Sequence, residues 1–233
     1  MSVDQHERVL GEMDMPREVF DRELQRLQNE TLALGSMVEN AITDSVEMLK
    51  RRDTEGSRRV IAEDRDINRK RFAIEADALA LIATQQPMAS DLRALAAILD
   101  ITSELERIGD YAKGIAKINL MIGDEPFIKP LIDIPLMAAK ARDMLHDGLE
   151  AFARRDVDLA RSIPARDDEV DGLYNQVYRE LMTYIMADPR CIDQANFLLW
   201  AAHNLERAAD RVTNVCERVI FTVTGKMEEM DTQ

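Results

Sequence analysis

The strongest constraint on this chain is that it repeats itself. Leu-Glu-Arg-x-x-Asp stands at 105–110 and again at 205–210, Arg-Arg-Asp at 51–53 and at 154–156, and Asp64 has a counterpart in Asp167. Such repetition marks two copies of one supersecondary unit. Apolar spacing identifies the unit: Leu24, Leu27, Leu34, Val38, Ile42, Val46 and Leu49 recur at the three-to-four-residue interval of a helix. A second helical run covers about 57–85. A third follows to about 121, with Ser90 and Asp91 as its expected caps and Pro87 as the break between the two. After "GDEPFIKP" the pattern returns, with helices expected over about 131–153, 158–187 and 192–224. The expectation is an all-α fold of two tandem three-helix bundles related by internal duplication. Its divisions are a flexible N-terminus 1–16, a first bundle 17–122, a linker 123–130, a second bundle 131–224 and a polar tail 225–233.

Composition agrees with that class and excludes others. Glycine (9) and proline (7) are scarce among 233 residues, aromatics make up 5%, and a hydrophobic content of 46% can fill real cores. A formal net charge of −14 repels nucleic-acid backbones and anionic lipid, and attracts cations or basic protein surfaces. Two cysteines without framework spacing suit a reducing compartment. The first residues, "MSVDQHERVLGEMDM", lack the apolar core of a secretory signal, and no apolar stretch is long enough to span a membrane. A cytoplasmic protein with no nucleic-acid partner and no direct membrane insertion is expected.

The repeated phrase poses an electrostatic question, because like charges at i and i+4 on a helix repel by a few tenths of a kcal/mol. On a helical wheel Glu106 and Asp110 fall on the flank of the stripe formed by Ile98, Ile101, Leu105, Ile108, Ala112 and Ala116. Glu206 and Asp210 hold the same place beside Leu198, Ala201, Leu205, Val212, Cys216 and Val219. The preceding helices carry a matching pair, Asp167 and Asp171 in the second copy, Asp64 and Asn68 in the first. An antiparallel hairpin turning near Pro87, or near Pro189, sets the two pairs of each copy at one level. Such oxygen clusters suit hard or borderline cations. The metal-ligand candidates are thus Asp167, Asp171, Glu206 and Asp210, extended by Asn214 and Glu217, and in the first copy Asp64, Glu106 and Asp110. The first set is the poorer, with Asn68 for an acid, Gly114 opposite Asn214 and Lys117 opposite Glu217. The competing reading is a solvated acidic face paired with Arg107, Arg207 and Arg211. His203, three residues before Glu206, reads as a helix-surface or partly buried histidine. Cys216 reads as a small core residue. No phosphate-cradling loop, nucleophile or general base is recognisable, so no enzyme is expected.

With "ELERIGD", "NLERAADRVTNVCE" and "QQPMASDLR" in this order, the chain resembles the PhoU family of phosphate-uptake regulators from about Phe20 to Gly225. The resemblance implies paired three-helix bundles whose E(D)xxxD motifs bind multinuclear metal clusters. Carried over by position, the motif residues are Asp167, Asp171, Glu206 and Asp210, and Asp64, Glu106 and Asp110. The metal could be iron, Mn, Mg or Zn, and is expected mainly in the second repeat. The resemblance further implies a cytoplasmic negative regulator of phosphate uptake and the phosphate-starvation response. Such an adaptor works between the ATPase subunit of a phosphate ABC transporter and a sensor histidine kinase, and a homodimer is expected. Tyr111 and Arg211 depart from the family, whose members often carry His there. The alternative is a carboxylate-bridged metal-binding or metal-storage bundle.

Overall fold

The computed structural model describes residues 16–230, and the segments 1–15 and 231–233 lie outside the described residues. The expectation of a flexible N-terminus falls almost wholly on the first of these. Three long helices build the first repeat: α1 (Pro16–Arg51), α2 (Thr54–Gln85) and α3 (Ala89–Ile122). The second repeat has α4 (Asp133–Arg154), a short α5 (Val157–Ser162), a single 3₁₀ turn (Pro164–Arg166), α6 (Asp167–Ala187) and α7 (Ile192–Thr224). No strand occurs among the described residues.

The repeated Arg-Arg-Asp is a corner. Its second arginine is left-handed in both copies, φ 55° at Arg52 and 54° at Arg155, which ends the preceding helix. Its aspartate then caps the next one: Asp53 Oδ1 accepts from the Gly56 N–H at 2.8 Å, and Asp156 Oδ1 from the Leu159 N–H at 2.9 Å. The next helix start differs from expectation. Ser90 and Asp91 lie inside α3, whose N-cap is Met88 with no side-chain cap bond. Asp91 instead pairs with Arg17 of α1.

The expected single helix over 158–187 is broken. Pro164 opens a 3₁₀ turn, because proline has no N–H to continue the α5 ladder and its ring crowds the turn before it. Asp167 therefore opens α6, with Asp168 and Glu169 beside it in the first turn, whereas Asp64 lies in the interior of α2. The α6 helix dipole favours negative charge at that end.

The two repeats share one core. Every stripe residue named above for α3 and α7 is buried, and the apolar cluster runs without interruption from Phe20 to Ile220. The most extensive helix–helix interface lies between α3 and α7, one from each repeat. Its contacts are reciprocal: Glu104 meets Asn214, and Asn204 meets Gly114, whose missing Cβ would stand 2.9 Å from the Asn204 amide nitrogen. Such exchange between equivalent positions is the signature of a pseudo-twofold relation. α1 and α4 also cross closely, where a Cβ on Gly35 would meet Leu149 Cδ1 at 2.2 Å.

The linker is pinned, since Gln194 of α7 accepts from the Ile128 N–H at 2.6 Å and donates to the Pro126 carbonyl at 3.0 Å. The described part of the tail also folds back, with Glu228 on Arg161. Both cysteines are free thiols; Cys216 is buried in the core, where desolvation pushes its thiol up to about 12. No described helix is long and apolar enough to cross a membrane.

Candidate functional site

In the second repeat Asp167 and Asp171, one turn apart on α6, face Glu206 and Asp210, one turn apart on α7. Asp167 is 3% exposed, and its Oδ1 is buried without a hydrogen-bond partner. Burial is the main cause that raises its pKa to about 7, with the charges of Asp171, Asp210, Glu206 and Asp168 adding to it. Burial likewise raises Asp171, helped by Asp168 and Asp210. Glu206 is raised by burial too, with His203 opposing and Asp171 assisting. Hairpin geometry thus brings the four acids into one electrostatic unit, as the sequence spacing requires.

Neighbours partly compensate. Arg207 lies 2.8 Å from Asp210, and His203 Nδ1 lies 3.3 Å from Glu206 Oε2, too poorly aligned to satisfy that buried oxygen. The His203 side chain is half exposed and stands 6.0 Å from the Tyr174 ring, so it occupies the helix surface. As the side chains stand, no three His, Cys, Asp or Glu of the described residues gather closely enough for one ion. The donor chemistry nevertheless fits a hard cation, with all-oxygen donors and two buried carboxylate oxygens, Asp167 Oδ1 and Glu206 Oε2, unsatisfied.

Asn214 and Glu217 do not extend this set. Asn214 Nδ2 donates across the repeat boundary to Glu104 Oε2 at 3.2 Å, and Arg211 reaches the same oxygen at 3.5 Å. Glu217 Oε1 accepts from the Met230 N–H at 2.9 Å. Both residues lie on the same flank of α7, but each further turn carries the side chain about 5.4 Å along the axis to other neighbours. Arg211 thereby serves the junction between repeats.

In the first repeat Asp64, 5% exposed, meets Asp110 across the α2–α3 hairpin. Between them stands Lys113, whose Nζ donates to Asp64 Oδ2 and to Asp110 Oδ1 at 2.8 Å each. Asn68 Nδ2 donates to the same Asp64 oxygen at 3.1 Å. Glu106 stays outside this clasp; burial and the Asp110 charge raise its pKa, while Arg71 opposes them. Here the residues do not fit a metal, because an ammonium holds the position between the carboxylates. Sequence reasoning missed Lys113 and named Lys117, which is exposed. The usable signal was the comparison of copies, where Lys113 aligns with Thr213 in the register that aligns Asp110 with Asp210.

These observations define a class: a duplicated all-helical protein with one acidic centre on each hairpin and a core shared by both copies. The chain belongs to the PhoU family, since the PhoU domain model matches it twice, over residues 31–118 and 134–219. It is 36% identical over 218 residues to the phosphate-specific transport system accessory protein PhoU homolog of Clostridium acetobutylicum, covering 93% of this chain and 100% of that protein. It is also 36% identical over 207 residues to the accessory protein PhoU of Escherichia coli K12, covering 89% and 86%. Among solved structures, PhoU from Pseudomonas aeruginosa superposes with a TM-score of 0.84 at 35% identity, covering 89% of this chain and all of that one.

Proposed function

We propose that the chain is a cytoplasmic, non-catalytic regulator that represses phosphate uptake and the phosphate-starvation response. In this reading it links the ATPase subunit of a phosphate ABC transporter to a sensor histidine kinase, acting as a homodimer. The observation that carries the reading is end-to-end similarity to accessory proteins of phosphate-specific transport systems. Long helical faces give such an adaptor its means of binding. Deleting the gene in its host is expected to switch on phosphate-scavenging genes in phosphate-rich medium. Repression that persists in the deletion strain would sink the reading.

The second repeat adds a cation centre to this proposal. Its support is the buried, unpartnered Asp167 oxygen, with the charges of Asp171, Asp210 and Glu206 close enough to raise the Asp167 pKa. Asp167, Asp171, Glu206 and Asp210 would hold the ion, after Arg207 and His203 release their acids. The ion would supply the positive charge that makes four adjacent carboxylates compatible. Elemental analysis of purified protein beside a Glu206→Ala/Asp210→Ala variant tests this, and equal metal contents would remove it. The alternative of a di-iron-like store has weaker support. That class uses Glu-x-x-His motifs aimed into a bundle core, whereas His203 precedes its glutamate and is half exposed.

A further inference from the structure

The two acidic centres stand on the same framework with unequal charge balance. Aligning the copies through Asp64 and Asp167 sets Asn68 opposite Asp171 and Arg71 opposite Tyr174. Aligning them through the Leu-Glu-Arg phrase sets Lys113 opposite Thr213. The first centre therefore has three carboxylates (Asp64, Glu106, Asp110) facing two cations, Lys113 and Arg71. The second has four carboxylates, with a hydroxyl and a phenol in the places of those cations. Thr213 does not turn to the acids; its Oγ1 donates back to the Asp210 carbonyl at 2.7 Å.

We propose that Lys113 is a built-in substitute for a metal ion, so that the first repeat carries its own bridging charge and the chain keeps a single cation centre, in the second repeat. The inference rests on the proposed cation centre there. Its geometry is specific: Nζ bridges Asp64 on α2 to Asp110 on α3, which is the job a bridging ion does in such a hairpin. A metal bound to both carboxylates at about 2.0–2.6 Å would fall within van der Waals contact of the ammonium. Two positive charges that close repel strongly in a half-buried site. Lys113 is also held in place from both sides, its two hydrogen bonds to Asp110 and Asp64 raising its pKa. It remains charged throughout the physiological range.

The clasp has a consequence for the whole molecule. The α2–α3 hairpin spans its facing acids with its own lysine, while in the α6–α7 hairpin Arg207 pairs with Asp210 alone and Asp167 Oδ1 has no partner, so a bridging charge would come from solution. Metal availability then acts on one half of the protein, with the other as a fixed reference packed against it through α3 and α7. The groove beside Lys113, lined also by Asp44, Glu63 and Asp66, gives an ion a path to Asp64 once the lysine is removed.

The test is Mn²⁺ binding to the full-length protein by titration calorimetry, comparing wild type with Lys113→Met/Asn68→Asp and with Thr213→Lys, helicity being checked by circular dichroism. In Lys113→Met/Asn68→Asp an additional Mn²⁺ class is expected, removed again by Glu106→Gln. In Thr213→Lys, Mn²⁺ affinity is expected to fall at least tenfold. A folded Lys113→Met/Asn68→Asp protein with no added binding overturns the proposal, and so does, where wild type binds Mn²⁺, a folded Thr213→Lys protein that binds it equally well. Wild-type binding that is lost in Asp64→Asn rather than in Asp167→Asn overturns it as well. Failure of the second-repeat reading looks different. Wild type then binds no Mn²⁺ at all, while a gain in Lys113→Met/Asn68→Asp still supports Lys113 as the substitute.

Discussion

Two equivalent hairpins, α2–α3 and α6–α7, bring acids to one level from the same spacing, yet a lysine bridges the acids of one and an arginine pairs with a single acid of the other. Asp64 and Asp167 are equally buried, at 5% and 3% exposure. Each has a buried Oδ1 without a partner, but Asp64 Oδ2 meets an ammonium and an amide, while Asp167 meets further carboxylates. Backbone geometry inherited by duplication therefore fixes where acids meet, and a few side chains decide what the meeting costs. Burial of a charge is tolerable only when it is paired or coordinated.

The comparison presumes one framework beneath both centres, and the largest expected effect tests that. Leu105→Ala and Leu205→Ala remove equivalent, fully buried side chains and should each cost about 3 kcal/mol. Both should leave a single unfolding transition in urea, since α3 and α7 share one core. Two separate transitions would break the comparison into two independent bundles.

Next in size is a contrast of sign. In its folded environment Asp167 keeps its proton up to about 7, against 3.8 for the unperturbed group. Between these values the folded state binds the extra proton, so stability of the metal-free protein falls as pH rises through the window. The full shift corresponds to about 4 kcal/mol, and sharing among the coupled acids leaves on the order of 2 kcal/mol for this site. Asp167→Asn should stabilise the chelator-treated protein by that amount at pH 8 and flatten its dependence between pH 4 and 7. Asp64→Asn should instead destabilise by about 1–2 kcal/mol, because it weakens the Lys113 clasp. Melting curves in the presence of a chelator decide; shifts of the same sign would erase the distinction.

The smallest effects lie at the junction between repeats, where the equivalent contacts are also unequal. Glu104→Ala leaves Arg211 and Asn214 without their acceptor and should cost about 1–2 kcal/mol. Gly114→Ala should stay within about 0.5 kcal/mol, because the helix-propensity gain of about 1 kcal/mol offsets displacement of the flexible Asn204 amide. Comparable losses from the two substitutions would show that the α3–α7 crossing tolerates no movement on either side.

Much of this was legible without coordinates. The core stripes of α3 and α7 follow from periodicity, and Arg-Arg-Asp marks a corner because an aspartate after a helix end is a natural cap. Spacing places Asp64 near Asp110, and Asp167 near Asp171, Glu206 and Asp210, as the Lys113 bridge and the Asp167 electrostatics show. Asn214 and Glu217 were misjudged because membership of a helix flank does not say which neighbour is nearest. Pro164 is the signal in the sequence for the break before α6.

By itself the sequence determined an all-helical fold, its duplication, the faces that are buried and the level at which carboxylates meet. These depend on local geometry, which a period of 3.6 residues transmits along a chain without reference to distant parts. Tertiary structure alone decided that both copies share a core, that Glu104 joins them and that Lys113 spans Asp64 and Asp110. A lysine head on four methylenes can reach solvent, its own helix or the next one, and only the packed neighbour settles which.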